Sequence, residues 1–381
     1  MRITRIETFL VPPRWLFVRV ETDAGVVGWG EPVVEGRAET VRTAVEQLSE
    51  ILIGADPLRI QDHWQVMTKG SFYRGGPILS SAVAGLDQAL WDIAGKAAHL
   101  PVHMMLGGPV RDRIRMYGWV GGDEPAEVAD AISERLAQGL TAVKMNASGR
   151  FARLGSNRDI DGVVARAAAA RDVLGDTGDV GIDFHGRIGL ADARRIIPEL
   201  EPLRPMFVEE PTTPENSHLL RRITESTSIP IATGERLYGR HEFLPALQAG
   251  IAIAQPDLSH AGGISEVHRT AALAEIYEVQ LAPHCPLGPI ALAASLQIGF
   301  AVPNYLIQEQ SIGIHYNDGG EVLDYLADTS VFDIRDGYVD RLTAPGLGIE
   351  IDEAAVRDAA ARGHAWRSPV WRHDDGGFAE W

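Results

Sequence analysis

Three carboxylates carry the first chemical signal in this 381-residue sequence. Asp183, Glu209 and Glu235 each close a short apolar run (VGID, MFVE and IPIATGE), and each follows the last by 26 residues. A run of four to six apolar residues bounded by Gly or Pro reads as a buried parallel strand. The 26-residue step leaves room for one crossover helix between such strands. The three acids would then stand at equivalent ends of three adjacent strands. An all-oxygen cluster of that kind repels itself unless a hard cation lies within it, so one Mg²⁺ per subunit is the expected cofactor.

Other ionisable residues recur at corresponding places: Lys144 with Asn146, His185, Asp257, His284 and Glu309. Each has an ordinary alternative. A lone acid after a strand commonly caps a helix or faces solvent. Asp257, in QPDLSHAGG, could cap the next helix, and His260 nearby competes with His185 and His284 as the histidine that matters. Taken jointly, the types point to one chemistry. Carboxylates and Mg²⁺ would bind a substrate carboxylate and neutralise charge as a proton leaves the adjacent carbon. His284 is the better candidate base, because Asp257 one strand away can hold its other nitrogen and raise its basicity. His185 would be a second acid/base across the site, and Glu309 would hydrogen-bond a substrate oxygen. Two histidines on different sides suit β-elimination, one taking the α-proton and the other protonating the leaving hydroxyl.

Positioning these residues requires a particular frame. Across 113–330, eight strand-like runs alternate with helical patterns such as PAEVADAISERLAQG, which predicts an α/β fold, a (β/α)7β TIM-like barrel with its site at the strand C-termini. An open doubly wound sheet is the alternative, but it would usually show a Gly-rich phosphate turn, and WVGGDEP matches one poorly. Residues 1–112 read as an α+β capping domain. ITRIETF, WLFVRVE and TDAGVVGWGEP form a meander, and a small-residue helix within 81–108 is expected to end near Gly95. Residues 331–381 are expected to pack back on the capping domain and complete it. Their last stretch, WRSPVWRHDDGGFAEW, is aromatic and charged without periodicity.

The bulk properties narrow the partners. Hydrophobic content of 45% and charged content of 23% belong to an ordinary globular protein. A formal net charge of −17 disfavours nucleic acid and anionic membranes. Cys285 is the single cysteine, which excludes an intramolecular disulfide and fits a reducing compartment. The N-terminus lacks an apolar signal core, and no run approaches the ~18 apolar residues of a membrane span. A cytoplasmic homo-oligomer acting on a small acid is the expectation.

The Asp, Glu, Glu set followed by an Asp/His pair and a Glu resembles the enolase superfamily, mandelate racemase/muconate-lactonizing subgroup. SAVAGLDQALWDIAGK followed by LGG resembles that subgroup's N-terminal domain. Further stretches, among them PPRW, DFHGR, QPDLSHAGGI, LAPHCPLGPIALAA and QEQSIGIHYN, are similar to its aldonate dehydratases. The resemblance implies loss of water from an aldonate to give a 2-keto-3-deoxy acid, with Asp183, Glu209 and Glu235 as magnesium ligands. It also implies that His284, paired with Asp257, takes the C2 proton, that His185 helps the 3-hydroxyl leave, and that Glu309 stabilises the enediolate. Racemases of the subgroup carry Lys-x-Lys on the second strand; here the pattern is Lys144-Met145-Asn146, which removes that base and argues against racemisation. Sugar-reading groups are expected from the capping domain, with candidates in Gly25–Gly30 and Tyr73-Arg74-Gly75, and from the loop ASGRFARLGSNRD.

Overall fold

The computed structural model describes residues 1–381. Strands β1 (Ile3–Val11), β2 (Trp15–Thr22) and β3 (Val27–Gly30) form the antiparallel meander. Helices α1 (Ala38–Leu52), α2 (Ile60–Lys69), α3 (Pro77–Ala98) and the short α4 (Val102–Met105) follow. Alternation then begins with β4 (Arg113–Val120), α5 (Pro125–Ala137), β5 (Ala142–Asn146), α6 (Asn157–Leu174), β6 (Asp179–Asp183) and α7 (Leu190–Leu200). It continues through β7 (Phe207–Glu209), α8 (Arg221–Thr224), β8 (Ile231–Thr233), α9 (Arg240–Gln248) and β9 (Ile253–Ala254). The last turns are α10 (Gly263–Ile276), β10 (Gln280–Leu281), α11 (Pro289–Ala301) and β11 (Gln308–Gln310).

The eight strands β4–β11 run parallel in chain order, with β11 returning beside β4. Leu281 closes the ring to the segment before β11, donating to Asn304 O and accepting from Leu306 N. This is the (β/α)7β barrel. Its interior is a small apolar layer of Tyr117, Ala142, Phe207, Ala232, Ile253, Ala282 and Ile307, separate from the large core between strands and helices. Gly181 on β6 leaves room for the Phe207 ring, which a Cβ there would strike.

Helix α3 is the spine of the capping domain, and its alanines and glycines let it bury most of its surface against the meander and α10. Gly28 and Gly30 on β3 lie directly against it; a Cβ on either would run into the backbone of Ala89 or Gly85. The helix ends three residues past the expected point, at Ala98, with His99 left-handed as its C-cap. Gly95 serves close packing instead, since a Cβ there would meet Gly346 and Leu100 O at 2.7 Å.

The capping domain holds the barrel through two buried acids and an amide. Helices α10 and α11 begin at glycine N-caps that offer no side chain to their free backbone N–H groups. Asp87 and Glu31 supply the missing acceptors from across the interface: Asp87 to Ser265 N at 2.9 Å, Glu31 to Gly288 N at 2.7 Å and Ala291 N at 2.9 Å. Gln88 donates to Leu258 O at 2.9 Å and accepts from Glu31 N at 2.8 Å, which ties the two struts together.

The segment 331–381 divides rather than packing as a unit on the capping domain. Strand β12 (Tyr338–Asp340) pairs antiparallel with β4 of the barrel, while α12 (Glu353–Arg362) packs on β1. A two-strand hairpin, β13 (Trp371–Arg372) and β14 (Phe378–Ala379), then lies over the barrel mouth. No helix is long and apolar enough to cross a membrane.

Candidate active site

The period of two along a strand builds the site from the apolar floor. Residues two positions beyond the floor point the same way, one layer nearer the strand C-termini. Beyond Ala142, Phe207, Ala282 and Ile307 stand Lys144, Glu209, His284 and Glu309; beyond Gly181 stands Asp183. The register aligns Asp183 with Glu209 across β6 and β7, and Glu235 follows just past the end of β8. All three acids are buried, with exposures of 3%, 0% and 7%.

Each acid has ionisable company. Lys144 Nζ bridges Glu209 Oε1 and Glu309 Oε1, both at 2.8 Å, and Gln255 Nε2 reaches Glu209 Oε2 at 2.6 Å. Lys144 is therefore locked between two acids. Burial opposes its charge, yet Glu209 and Glu309 hold its pKa well above the usual range. Burial and repulsion from Asp183 push Glu209 up, against the pull of Lys144. Asp183 and Glu235 lie below the usual carboxylate range despite burial; His185 is the main influence on the first and His284 on the second.

Two histidine–acid pairs flank this set. His284 Nδ1 meets Asp257 Oδ2 at 2.8 Å, and its Nε2 lies 3.4 Å from Glu235 Oε2. Asp257 does not cap α10, whose N-cap is Gly262; its Oδ1 accepts from Ser259 N at 2.6 Å and His260 N at 3.1 Å, fixing the turn before that helix. Burial lowers His284, but Glu235, the Asp257 bond and Glu309 raise it to about 10. His185 stands on the loop after β6 with φ 54°, a left-handed conformation costly for a residue with a Cβ. Asp183 compensates, accepting from His185 N at 2.6 Å and facing its Nδ1 at 3.0 Å. Strands β6 and β10 are four apart in a ring of eight, so the two histidines enter from opposite sides.

A cavity of about 700 Å³ opens over these residues. Asp183, His185, Glu235, His284, Glu309, Lys144 and Asn146 all line it. Glu209 lies beneath, and Asp257 behind His284. The capping domain contributes Arg14 and Glu35. Arg14 is 2% exposed, donates to Pro286 O at 2.6 Å and lies 4.4 Å from the Tyr316 ring centre. Glu35 Oε2 sits 3.3 Å from His260 Nε2; burial opposes both charges, but the pairing holds Glu35 near 2, and with Asp257 lifts His260 to about 9.

The expected sugar-reading stretches lie elsewhere. Gly28 and Gly30 serve the contact with α3, while Tyr73 is 81% exposed and the 73–75 loop is outside the cavity lining. In the loop after β5, Arg150 and Arg153 grip the hairpin through Asp374 and Asp375. Reading the sequence missed Glu35, Trp366 and Trp381 as cavity residues; Arg14 was visible only within the PPRW stretch.

Three buried oxygen-bearing groups fit a hard divalent cation, and Glu235 Oε2, buried without a hydrogen-bond partner, is the orphan such an ion would satisfy. Asp257, His260 and His284, a different group, bring ligand atoms within 4.8 Å of one another. There Asp257 Oδ2 already pairs with His284 Nδ1 at 2.8 Å, and His260 Nδ1 lies 3.7 Å from the same oxygen.

The chain matches the mandelate racemase / muconate lactonizing enzyme N-terminal domain over residues 10–107 and the enolase C-terminal domain-like family over 127–355. It belongs to the enolase superfamily. Within that superfamily, D-galactonate dehydratases of Variovorax paradoxus (strain S110) and Ralstonia pickettii (strain 12J) are 53% and 52% identical to it over the whole of both chains. Identity of that extent makes this superfamily member a hydro-lyase. Among solved structures, an enolase from Agrobacterium radiobacter with sodium and L-malate bound superposes with a TM-score of 0.90 at 32% identity, covering all of both chains. A mandelate racemase/muconate lactonizing enzyme from Sulfitobacter sp. gives 0.89 at 30% identity, covering 98% of this chain and 99% of its own.

Proposed function

We propose that this acid-sugar dehydratase converts D-galactonate to 2-dehydro-3-deoxy-D-galactonate and water, with Mg²⁺ held by Asp183, Glu209 and Glu235. The observation that carries the reading is the pair of histidines entering one acid-lined cavity from opposite sides, in a chain whose full-length relatives are galactonate dehydratases. Held by these residues, Mg²⁺ would supply positive charge to offset the acids, favour a neutral His284 and polarise the substrate carboxylate.

The chain's own residues do the rest. His284 takes the C2 proton on Nε2 while Asp257 holds Nδ1 and stabilises the imidazolium. Glu309, fixed by Lys144 and by Cys285 N at 2.9 Å, faces the carboxylate oxygen on which charge develops. The C3–O bond then breaks, and His185 gives its proton to the departing oxygen, so water leaves. The enol then becomes the 2-keto acid as C3 takes a proton and the C2 hydroxyl gives one up. With Lys144 tied to Glu209 and Glu309 and Asn146 where a second lysine would stand, no opposed lysine base is available for racemisation.

Incubation with Mg²⁺ and a panel of aldonates, followed by assay for 2-keto-3-deoxy acids, tests this. Product from D-galactonate above its stereoisomers is expected. Absence of product from every aldonate would overturn the assignment, and C2 deuterium exchange without dehydration would point to an epimerase instead.

A further inference from the structure

The segment after α12 is the part of the chain that this chemistry leaves unused, and it spans the mouth from capping domain to barrel. His364 Nε2 meets Trp15 O at 3.1 Å, and Ser368 lies so close to Gly36 that a Cβ there would fall 2.7 Å from Ser368 Oγ. Beyond, Arg150 and Arg153 hold Asp374 and Asp375 at 2.8 and 2.7 Å, and the Arg187 guanidinium sits 4.9 Å from the Trp371 ring centre. The β13–β14 hairpin then returns the chain so that Trp381 meets His185 edge to face, ring centres 5.9 Å apart and planes at 82°. Trp366 packs 6.1 Å from Trp381, and both line the cavity.

The two site histidines differ in what fixes them. His284 has Asp257 on one ring nitrogen and Glu235 near the other, and its side chain is 11% exposed. His185 is held by Asp183 through Nδ1 alone and is 25% exposed. Trp381 is the aromatic side chain packed against that freer imidazole. An edge-to-face aromatic contact restricts ring orientation and keeps water from the covered face.

We propose that Trp381 is a positioning residue for His185, holding the imidazole in line with the departing 3-hydroxyl and shielding it from bulk water. The inference rests on the role given to His185 above. It predicts an asymmetry: loss of the indole harms C–O cleavage and spares C2 proton transfer at His284.

The test compares the full chain with Trp381→Ala and Trp381→Phe on D-galactonate with Mg²⁺. Dehydration is read as keto-acid product, and C2 proton transfer as deuterium entering recovered substrate from heavy water. A third readout needs no turnover: the rate at which diethyl pyrocarbonate labels His185 and His284, located by peptide mass spectrometry. For Trp381→Ala, dehydration is expected to fall about tenfold or more, while C2 exchange stays within about twofold. Labelling of His185 should accelerate several-fold with that of His284 unchanged, and Trp381→Phe should recover most of each loss. Parallel loss of both partial reactions, unchanged dehydration, or unchanged His185 labelling would overturn the inference. A wild-type chain that dehydrates no aldonate would sink the proposed function, while the labelling comparison would still decide whether Trp381 covers His185.

Discussion

Two sets of buried carboxylates divide this molecule, and they differ in the company they keep. Glu31 and Asp87, with Asp92, sit at the docking face of the capping domain; Asp183, Glu209 and Glu235 sit at the barrel mouth. All six are buried. In the docking set the partners are mainly backbone N–H groups: Gly288 and Ala291 for Glu31, Ser265 for Asp87, Trp29 at 3.0 Å and Leu347 at 2.9 Å for Asp92. At the mouth the partners are mostly side chains that carry or exchange protons: His185, Lys144, His284 and Arg236. Burial pushes Glu31 up to about 8 and Asp87 to about 7, shifts that alone would nominate them as catalytic. Geometry decides otherwise. A buried acid answered by backbone dipoles is a strut, and one answered by titratable groups around a cavity is a site.

One isosteric change, carboxylate to amide, separates the two sets. The largest effect is expected at the mouth. Glu235→Gln removes a charge whose Oε2 has no hydrogen-bond partner to lose. Turnover should fall about 10³-fold, several kcal/mol of lost charge stabilisation, while the melting temperature stays near that of the wild type. Chelation of the wild type should abolish activity in the same way, with Mg²⁺ restoring it there and failing to restore the variant. A Glu235→Gln enzyme that turns over normally would erase the distinction drawn between the sets.

Glu31→Gln should show the reverse. Both Glu31 oxygens accept from backbone N–H groups, so an amide nitrogen must face one of those donors. A loss of about 1–3 kcal/mol in unfolding free energy is expected, measured by urea titration. Because the α11 N-terminus follows the His284 loop, kcat should fall too, by less than about tenfold. A larger loss of activity than of stability would move Glu31 from strut to site.

Much of the mouth was legible in the sequence because its cause is local. Equal spacing placed Asp183, Glu209 and Glu235 at the ends of successive strands, with Lys144, His284 and Glu309 at corresponding strand ends. What stayed hidden depends on long-range docking. Arg14, Glu35 and Trp381 converge on the cavity only once the capping domain seats on α10 and α11 and the hairpin crosses the mouth. No nearby residue pattern marks them. The glycines at 28, 30 and 95 were legible as special but not as to why, since the backbone each must admit comes from distant chain. The struts stayed hidden likewise: Glu31 and Asp87 cap helices more than a hundred residues away.

The smallest effect, and the finest test of the comparison, belongs to Asp87. Oδ1 accepts from Ser265 Oγ at 2.6 Å, while Oδ2 accepts from Ser265 N. Ser265 Oγ already accepts from Gln61 Nε2 and Trp91 Nε1, so Asn, like the protonated acid, accepts through one carbonyl-type oxygen, and Asp87→Asn should be close to neutral in stability at low pH. The difference appears as pH rises. The folded pKa near 7 lies above the ordinary value of 3.8, so between these values the folded state binds a proton that the unfolded state has released. Stability from this group is therefore complete below about pH 4 and is lost as pH climbs through about 7, at up to roughly 1.4 kcal/mol per pH unit. Asp87→Asn removes that slope. Urea titrations at pH 5.5 and 8.5 should show the wild type losing more stability across the interval than the variant. Equal losses would mean that Asp87 keeps its charge in the folded state, and that the N–H groups at the start of α10 outweigh its burial.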